Sequence, residues 1–227
     1  MSVKENLSVI ENSIEEACQN CGRTKEDITV IAVTKYVSIA RAEEAIEAGI
    51  EHLGENRKEG LLEKYESIGT KAKWHFIGSL QSRKVKDVID QVSMIHSLDR
   101  KSLAKEINKR ASQPVPCFIQ VNVSGEESKH GLAPDDVEEF VDLMKNYENI
   151  QVVGLMTMAP HTDNEEQLRG NFRKLRALRD IIRDKHLPHA PCESLSMGMS
   201  NDYAIAIEEG ATHVRIGSKL VGEEANQ

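Results

Sequence analysis

The chain has 227 residues, of which 39% are hydrophobic and 29% are charged, a composition typical of soluble globular proteins and unlike that of disordered chains. Lys and Arg number 29 against 37 Asp and Glu, so the excess of basic residues that neutralises a run of phosphates is absent and nucleic acid is not expected as a partner. The chain lacks an apolar run of membrane-spanning length, and charges interrupt the opening MSVKENLSVIENS, so we expect a cytoplasmic protein with no membrane partner.

The first predicted element is an amphipathic helix over residues 3–20 that ends near Gly22. Its apolar stripe consists of Leu7, Ile10, Ile14 and Ala17. Because this helix precedes the first predicted strand, we expect it to be an addition to the main fold that forms a lid or a base.

Eight short apolar runs follow, each of a length that suits a buried parallel strand. They are residues 28–34, 50–53, 73–78, 93–98, 115–123, 150–156, 194–197 and 212–217. The segments between them are rich in helix-forming residues and are predicted as helices over 38–48, 57–67, 82–90, 100–111, 134–147, 164–185 and 201–209.

This alternation predicts an α/β fold, a single (β/α)8 TIM-type barrel that forms one domain over residues 1–227, because no Pro-, Gly- or Ser-rich linker divides the chain. A doubly wound sheet is the rival fold. That fold usually has a Gly-rich turn after its first strand, whereas here the first strand leads into Thr34, Lys35 and Tyr36. The barrel is therefore favoured.

The predicted helix over 164–185 has an apolar stripe that indicates packing on the barrel surface. The stripe consists of Leu168, Phe172, Leu175, Leu178 and Ile182. Thr162 and Glu165 have the spacing of a capping box at its start.

In a barrel of this type the carboxyl ends of the strands meet at one mouth, where the chemistry is located. The polar residues expected there are Lys35, Glu55, Asn56, Ser79, Asp99, Asn122, Thr157, residues 196–200 and residues 215–218. Lys35 emerges from a strongly apolar strand, and a lysine beside a dry wall loses its proton more easily and can attack a carbonyl to form a Schiff base. On this strand alone, a lysine that only extends its amine into solvent is the commoner case.

The last two strands point to a phosphate. The segment SLSMGMSND ends a predicted strand in small residues and opens a helix with Ser200 or Asn201 as its N-cap, an arrangement that can bind an anion. In the segment VRIGSKLVG, Gly217 permits close backbone approach and the Ser218 hydroxyl can donate a hydrogen bond. Because barrels often bind phosphate after strands seven and eight, these signals together with Lys35 indicate a phosphorylated carbonyl ligand.

Four other polar residues are interpreted as structural. Cys18 and Cys21 form a C-x-x-C pair, but no second pair or neighbouring histidine completes a zinc site. His75 and His96 lie within apolar strand runs, where a hydrogen-bonded structural histidine is commoner than a general base. We therefore leave all four outside the predicted site.

Seven segments of the sequence resemble a known family. The segments VIAVTKY, HLGEN, WHFIGSLQSRK, FIQVNVS with KHGL, GLMTMAP, LSMGMSND and VRIGSKLVGE are similar, in order and across nearly the whole chain, to the pyridoxal 5'-phosphate (PLP) homeostasis protein family. The resemblance implies a fold-type III PLP-binding barrel like the N-terminal domain of alanine racemase. It also implies PLP as the cofactor, held as a Schiff base on Lys35.

The same resemblance implies roles for six further residues. Asn56 is expected beside the cofactor and Arg215 at its pyridine nitrogen. The residues expected around the phosphate are Met199, Ser200, Gly217 and Ser218.

The function implied is PLP binding in the homeostasis of vitamin B6 and amino acids, without robust catalysis and with PLP-requiring apoenzymes as candidate partners. Alanine racemases use a second base from another domain, and too few residues follow the last predicted strand to form one. The alternative is a PLP-dependent racemase or lyase, or a Schiff-base aldolase, in which Tyr36, Tyr203 or a partner subunit supplies that base. A scaffold without cofactor is a third possibility.

Overall fold

The structure, a computed structural model, describes residues 1–126 and 128–222, so residues 127 and 223–227 of the predicted domain lie outside the described residues. Eight parallel strands close into a barrel in sequence order. They are β1 (Thr29–Val33), β2 (His52–Glu55), β3 (Lys73–Phe76), β4 (Met94–Leu98), β5 (Val115–Gln120), β6 (Ile150–Met156), β7 (Ser194–Met199) and β8 (His213–Ile216). The predicted barrel is confirmed, and the doubly wound sheet is excluded because β1 pairs with β8.

Helices cover the outside of the barrel. They are α1 (Val3–Asn20), α2 (Ile39–Glu47), α3 (Lys58–Ile68), α4 (Val85–Val88), α5 (Lys101–Arg110), α6 (Val137–Leu143), α7 (Glu165–Arg183), α8 (Tyr203–Glu208) and α9 (Ser218–Val221). Among the helices of the described ranges, none has both the length and the apolar character needed to cross a membrane.

Two predicted helices are shorter than the sequence suggests. The segment 82–90 forms a 3-10 turn followed by α4, whose buried residues Val85 and Val88 are brought to one face by a single turn. The segment 134–147 contains α6 between two 3-10 turns. An apolar spacing of three residues fits either helical form, so the pattern alone overestimates the α-helical length.

The start of α7 also differs from the prediction. Asn164 is its N-cap, because its Oδ1 accepts the Gln167 backbone N–H at 3.0 Å. Thr162 lies outside the helix and accepts the Asn164 backbone N–H at 3.2 Å. The predicted capping box of Thr162 and Glu165 is therefore wrong, since Glu165 is the first residue of the helix and not its third.

Helix α1 lies on the flank of the barrel, so the prediction of a lid or a base is wrong. It packs against α2, α8 and α9, and its apolar stripe is buried there. The Asn6 side-chain amide donates to the Leu220 carbonyl at 2.9 Å, and the Val3 N–H donates to the Glu44 carboxylate at 2.7 Å. These bonds hold α1 beside the seam where β1 meets β8.

Candidate functional site

A cavity of about 810 Å³ opens at the carboxyl ends of the strands, and its size is within the range of pockets for small ligands. All the predicted site residues line it: Lys35, Asn56, Met199, Ser200, Arg215, Gly217 and Ser218. Barrel closure makes β1 and β8 neighbours, which brings the residues that follow the first strand next to those of the last strand.

Lys35 lies in the turn after β1, two residues beyond the end of the strand. Its side chain is exposed at the cavity, and its Nζ lies 4.7 Å from the centre of the Tyr36 ring. The expectation of a dry wall around this amine is wrong, because the turn carries Lys35 past the apolar part of the strand. Tyr36 also lines the cavity, whereas Tyr203 is buried on α8.

A buried carboxylate holds the start of the Lys35 turn. Glu55 ends β2, and its Oε1 accepts the Thr34 hydroxyl at 2.7 Å and lies 2.9 Å from the Lys64 Nζ. Both charged side chains are at most 7% exposed, so this is an ion pair of the protein interior. The sequence predicts Glu55 at the mouth, but the residue is buried and does not line the cavity; its bond to the Thr34 side chain holds the start of the turn that presents Lys35.

Asn56 follows β2 directly, and its position depends on a glycine in the next strand connection. A Cβ at Gly78 would lie 2.3 Å from the Asn56 carbonyl oxygen, so a larger residue would push the two backbones apart. This close approach fixes Asn56 at the cavity wall.

The turn after β7 differs in detail from the predicted N-cap. Helix α8 begins at Tyr203, so Ser200 and Asn201 precede it and Asp202 is the cap residue. The Asp202 Oδ1 accepts the Met199 N–H at 2.6 Å, and burial raises the pKa of the Asp202 carboxyl. The prediction failed because a carboxylate further along the chain binds the turn before the helix starts.

Ser200 links the last two strand ends. Its Oγ accepts the Gly217 N–H at 3.2 Å, so Ser200 and Gly217 meet although 17 positions separate them. Ser218, the next residue, is exposed and begins the four-residue helix α9. The predicted phosphate residues therefore form one surface of the cavity, where the Gly217 N–H has the Ser200 hydroxyl as its acceptor.

Arg215 is a buried cation on the cavity wall, with only 4% of its surface exposed. Its Nη1 donates to the Ser196 Oγ at 2.5 Å, and its Nη2 donates to the Thr157 carbonyl at 2.9 Å. Burial lowers the pKa of Arg215 to about 10, which leaves the guanidinium charged at neutral pH. Both of these acceptors are neutral, so a ligand that offers a lone pair or negative charge fits this wall.

The loop between β6 and α7 lines the cavity, although none of its residues belongs to the predicted site. Its lining residues are Met158, Ala159, Pro160, His161, Thr162 and Asp163. These residues do not end a strand, so the search for polar strand ends could not find them. The signal available in the sequence was the length of this connection, because long ordered loops often cover a site.

The residues interpreted as structural lie outside the cavity lining. Cys18 is buried in α1, and Cys21 donates its thiol to the Ala17 carbonyl at 3.2 Å. His75 and His96 are fully buried inside the barrel. Residues 1–126 and 128–222 contain no cluster of side chains suited to a metal ion.

Comparison with known proteins places the chain in a family. The family described as alanine racemase, N-terminal domain, matches residues 3–225. The pyridoxal phosphate homeostasis protein of Aquifex aeolicus is 43% identical over 98% of this chain and 99% of its own length. The chain belongs to the pyridoxal phosphate homeostasis protein family. The protein of that name from Escherichia coli is 32% identical over 97% of this chain.

Solved structures show the same barrel. PipY of Synechococcus elongatus, solved with PLP bound, has a TM-score of 0.84 at 27% identity and covers 97% of this chain, which covers all of PipY. An alanine racemase of Clostridium difficile has a TM-score of 0.78 at 17% identity, and the chain matches 58% of that longer protein. The second likeness is one of fold.

Proposed function

We propose that the protein holds PLP as a Schiff base on Lys35 and acts in PLP and amino-acid homeostasis without robust catalysis. The observation that supports this most strongly is the presence of the Lys35 amine and the buried Arg215 cation on one cavity. The PLP-bound structure of PipY supports PLP binding, and the names of the curated relatives support a homeostasis role.

The described residues suit the three parts of PLP. Lys35 presents an amine to the cavity, and this amine adds to the PLP aldehyde to form a C=N bond with loss of water. Met199, Ser200, Gly217 and Ser218 surround the phosphate, and Asn56 lies beside the ring. Arg215 faces the ring nitrogen. Its guanidinium donates to two neutral oxygens of the protein, and the nitrogen lone pair offers it a further acceptor.

Arg215 also explains why catalysis is weak in this proposal. PLP supplies an electron sink for carbanion chemistry, and a protonated ring nitrogen strengthens that sink. A guanidinium that stays charged at neutral pH opposes protonation of a nitrogen beside it. We therefore propose storage and delivery of PLP, with PLP-requiring apoenzymes as recipients.

We further propose that residues 1–227 act as one domain in the cytoplasm. The cysteines Cys18, Cys21, Cys117 and Cys192 are all free thiols, which suits a reducing compartment.

Borohydride reduction of the PLP-loaded protein, followed by peptide mass mapping, tests the covalent assignment. We expect the pyridoxyl group on Lys35 and loss of the visible absorbance in Lys35→Ala. Lys219→Ala is the matched control, because Lys219 follows Ser218 in α9 and its Nζ lies 6.0 Å from the centre of the Tyr203 ring. An equally reducible adduct in Lys35→Ala contradicts the proposal.

The catalytic alternative is tested with L-alanine in deuterated water. Because Arg215 opposes the electron sink, α-deuterium should enter the amino acid at a rate close to that of free PLP. Rapid incorporation that depends on both Lys35 and Tyr36 would favour a racemase or lyase, since Tyr36 is the tyrosine that lines the cavity.

A further inference from the structure

A row of hydrogen-bonded side chains crosses the barrel interior and ends at Arg215. His52 Nδ1 lies 2.8 Å from His75 Nε2, and His75 Nδ1 lies 2.8 Å from His96 Nε2. His96 Nδ1 lies 2.9 Å from the Ser196 Oγ, which accepts the Arg215 Nη1. The row starts at the first residue of β2, on the opposite end of the barrel from the cavity. We call these five residues the histidine chain.

The direction of every hydrogen bond in the histidine chain follows from Arg215, its last member. A guanidinium has donors and no acceptor, so Arg215 donates to the Ser196 Oγ. Among the described residues, the hydrogen-bond partners of that oxygen are Arg215 and His96. Because Arg215 cannot accept, the buried Ser196 hydroxyl proton goes to His96 Nδ1. His96 Nδ1 is then an acceptor, which places the proton of a neutral His96 ring on Nε2.

The same reasoning extends to the next two rings. His96 Nε2–H donates to His75 Nδ1, so His75 carries its proton on Nε2 and donates to His52 Nδ1. Every bond therefore runs from Arg215 towards His52. Aligned donors of this kind polarise one another and strengthen each bond in the row.

The surroundings keep these rings neutral. His75 and His96 are at most 1% exposed, and burial holds the pKa of each well below the usual range for histidine. The charged and titratable groups around them are Lys73 and Glu51 near His52, His213 on β8 and Arg215 itself. The Phe118 ring stacks on His96 with centroids 4.5 Å apart and fixes the ring plane.

We propose that His96 and His75 are positioning residues for Arg215. By accepting the Ser196 hydroxyl proton, His96 orients the Ser196 Oγ lone pairs towards Arg215, and His75 fixes the tautomer of His96. The two rings therefore hold the guanidinium at the cavity wall. The effect of this positioning on a ligand rests on the proposed function, in which Arg215 contacts the ring nitrogen of PLP. The hydrogen-bond direction rests on the protein alone.

The first test needs no PLP. Nitrogen-15 NMR of the ligand-free protein with labelled histidines reports which ring nitrogen is protonated. We expect the Nε2–H form for His52, His75 and His96 at neutral pH. An Nδ1–H form of His96 overturns the inferred direction, whether or not the protein binds PLP.

The second test separates positioning from packing with two substitutions at one position. His96→Asn places an amide oxygen near the former Nδ1 and keeps an acceptor for Ser196, whereas His96→Gln places its amide near the former Nε2 and loses that acceptor. In PLP-loaded protein we expect His96→Asn to keep the wild-type visible spectrum. In His96→Gln we expect a shifted spectrum and about tenfold faster PLP loss, as when a group that orients a ligand-binding residue is removed.

His213→Gln is the control. The ring centres of His213 and His96 are 6.4 Å apart, but His213 forms its hydrogen bond with Thr212 and not with a member of the histidine chain. Equal spectra and release rates for both His96 variants and wild type overturn the positioning role. If the variants do not fold, the tautomers of the wild-type rings still test the hydrogen-bond direction on which the positioning role depends, and an Nδ1–H form of His96 overturns both. If wild type binds no PLP, the proposed function fails while the tautomer result still stands.

Discussion

Glu55 connects the interior of the barrel to the turn that presents Lys35. Its carboxylate is 1% exposed and contacts Lys64 and Thr34, so it cannot exchange either partner for water. A buried ion pair of this kind adds little net stability when intact, but removing one partner leaves an unpaired charge in the interior.

We therefore expect Glu55→Gln to lower the free energy of unfolding by about 3 kcal/mol, measured by urea denaturation. The control is Glu51→Gln, because the Glu51–Lys73 pair is more than half exposed on both sides and should change stability by less than ~1 kcal/mol. Replacing Lys64 by Met in the Glu55→Gln background should recover part of the loss. Equal effects of the two glutamate substitutions would contradict the argument.

Ser218 permits a second test at the residue scale. It is exposed at the cavity, so substitution there changes the ligand surface without disturbing the core. Ser218→Asp should weaken PLP binding by about tenfold or more, because a carboxylate repels the phosphate, while binding of pyridoxal without phosphate should change little. Ser218→Ala is the neutral control, and equal weakening of both ligands by Ser218→Asp would place the phosphate elsewhere.

At the scale of elements, the contact of β7 with α8 sets the position of Ser200. Gly198 has a φ of +95°, and a Cβ there would lie 2.7 Å from the Ala206 Cβ. Strand and helix therefore touch at a point where only glycine fits without a shift.

Gly198→Ala should lower stability by about 2 kcal/mol and also weaken PLP retention, since the shift of α8 moves the Ser200 turn. Gly22→Ala is matched to it: Gly22 has a φ of +71° but no neighbour within 4 Å of the added Cβ. Gly22→Ala should lower the free energy of unfolding by about 1 kcal/mol, the cost of placing an alanine in the left-handed conformation, and should leave PLP retention unchanged. Urea unfolding and PLP release rates measure both effects, and equal values for the two variants exclude the packing argument.

The sequence predicts the elements better than the contacts between them. Each predicted apolar run overlaps a strand, and the strand-end rule finds Lys35, Gly217 and Ser218 because these lie just beyond the ends of β1 and β8. It cannot find the contact of His96 with Ser196, because the partners come from β4 and β7 and meet through the tilt and register of the whole barrel. Interpretation of His96 as structural was reasonable for a single strand and missed the row to which it belongs.

At the scale of the whole molecule, the buried histidines make stability depend on pH. Burial lowers the pKa of His213 to about 4 in the folded protein, against about 6.5 when unfolded. Between these values the unfolded chain binds more protons, so stability is full above pH 6.5 and falls as the pH drops towards 4. His75 and His96 shift in the same direction.

We expect the free energy of unfolding to fall by roughly 2 kcal/mol per such histidine between pH 7 and pH 5, a range above the titration of ordinary carboxylates. His213→Gln should remove its share of this slope, so the slope of this variant is compared with that of the wild type. Urea denaturation at the two pH values measures both. A slope in His213→Gln as steep as in wild type would contradict the assignment.

The pairing of β1 with β8 has a consequence for synthesis on the ribosome. Lys35 emerges early, but the adjacent part of the cavity wall is built by residues 215–218, which are made after the first seven strands. A nascent chain that has not completed β8 has no Ser200–Gly217 contact and no Arg215, so capture of PLP should begin only when the final strand closes the barrel. Bound PLP then reports that the barrel has closed, and it should protect the seam between β1 and β8 from proteases.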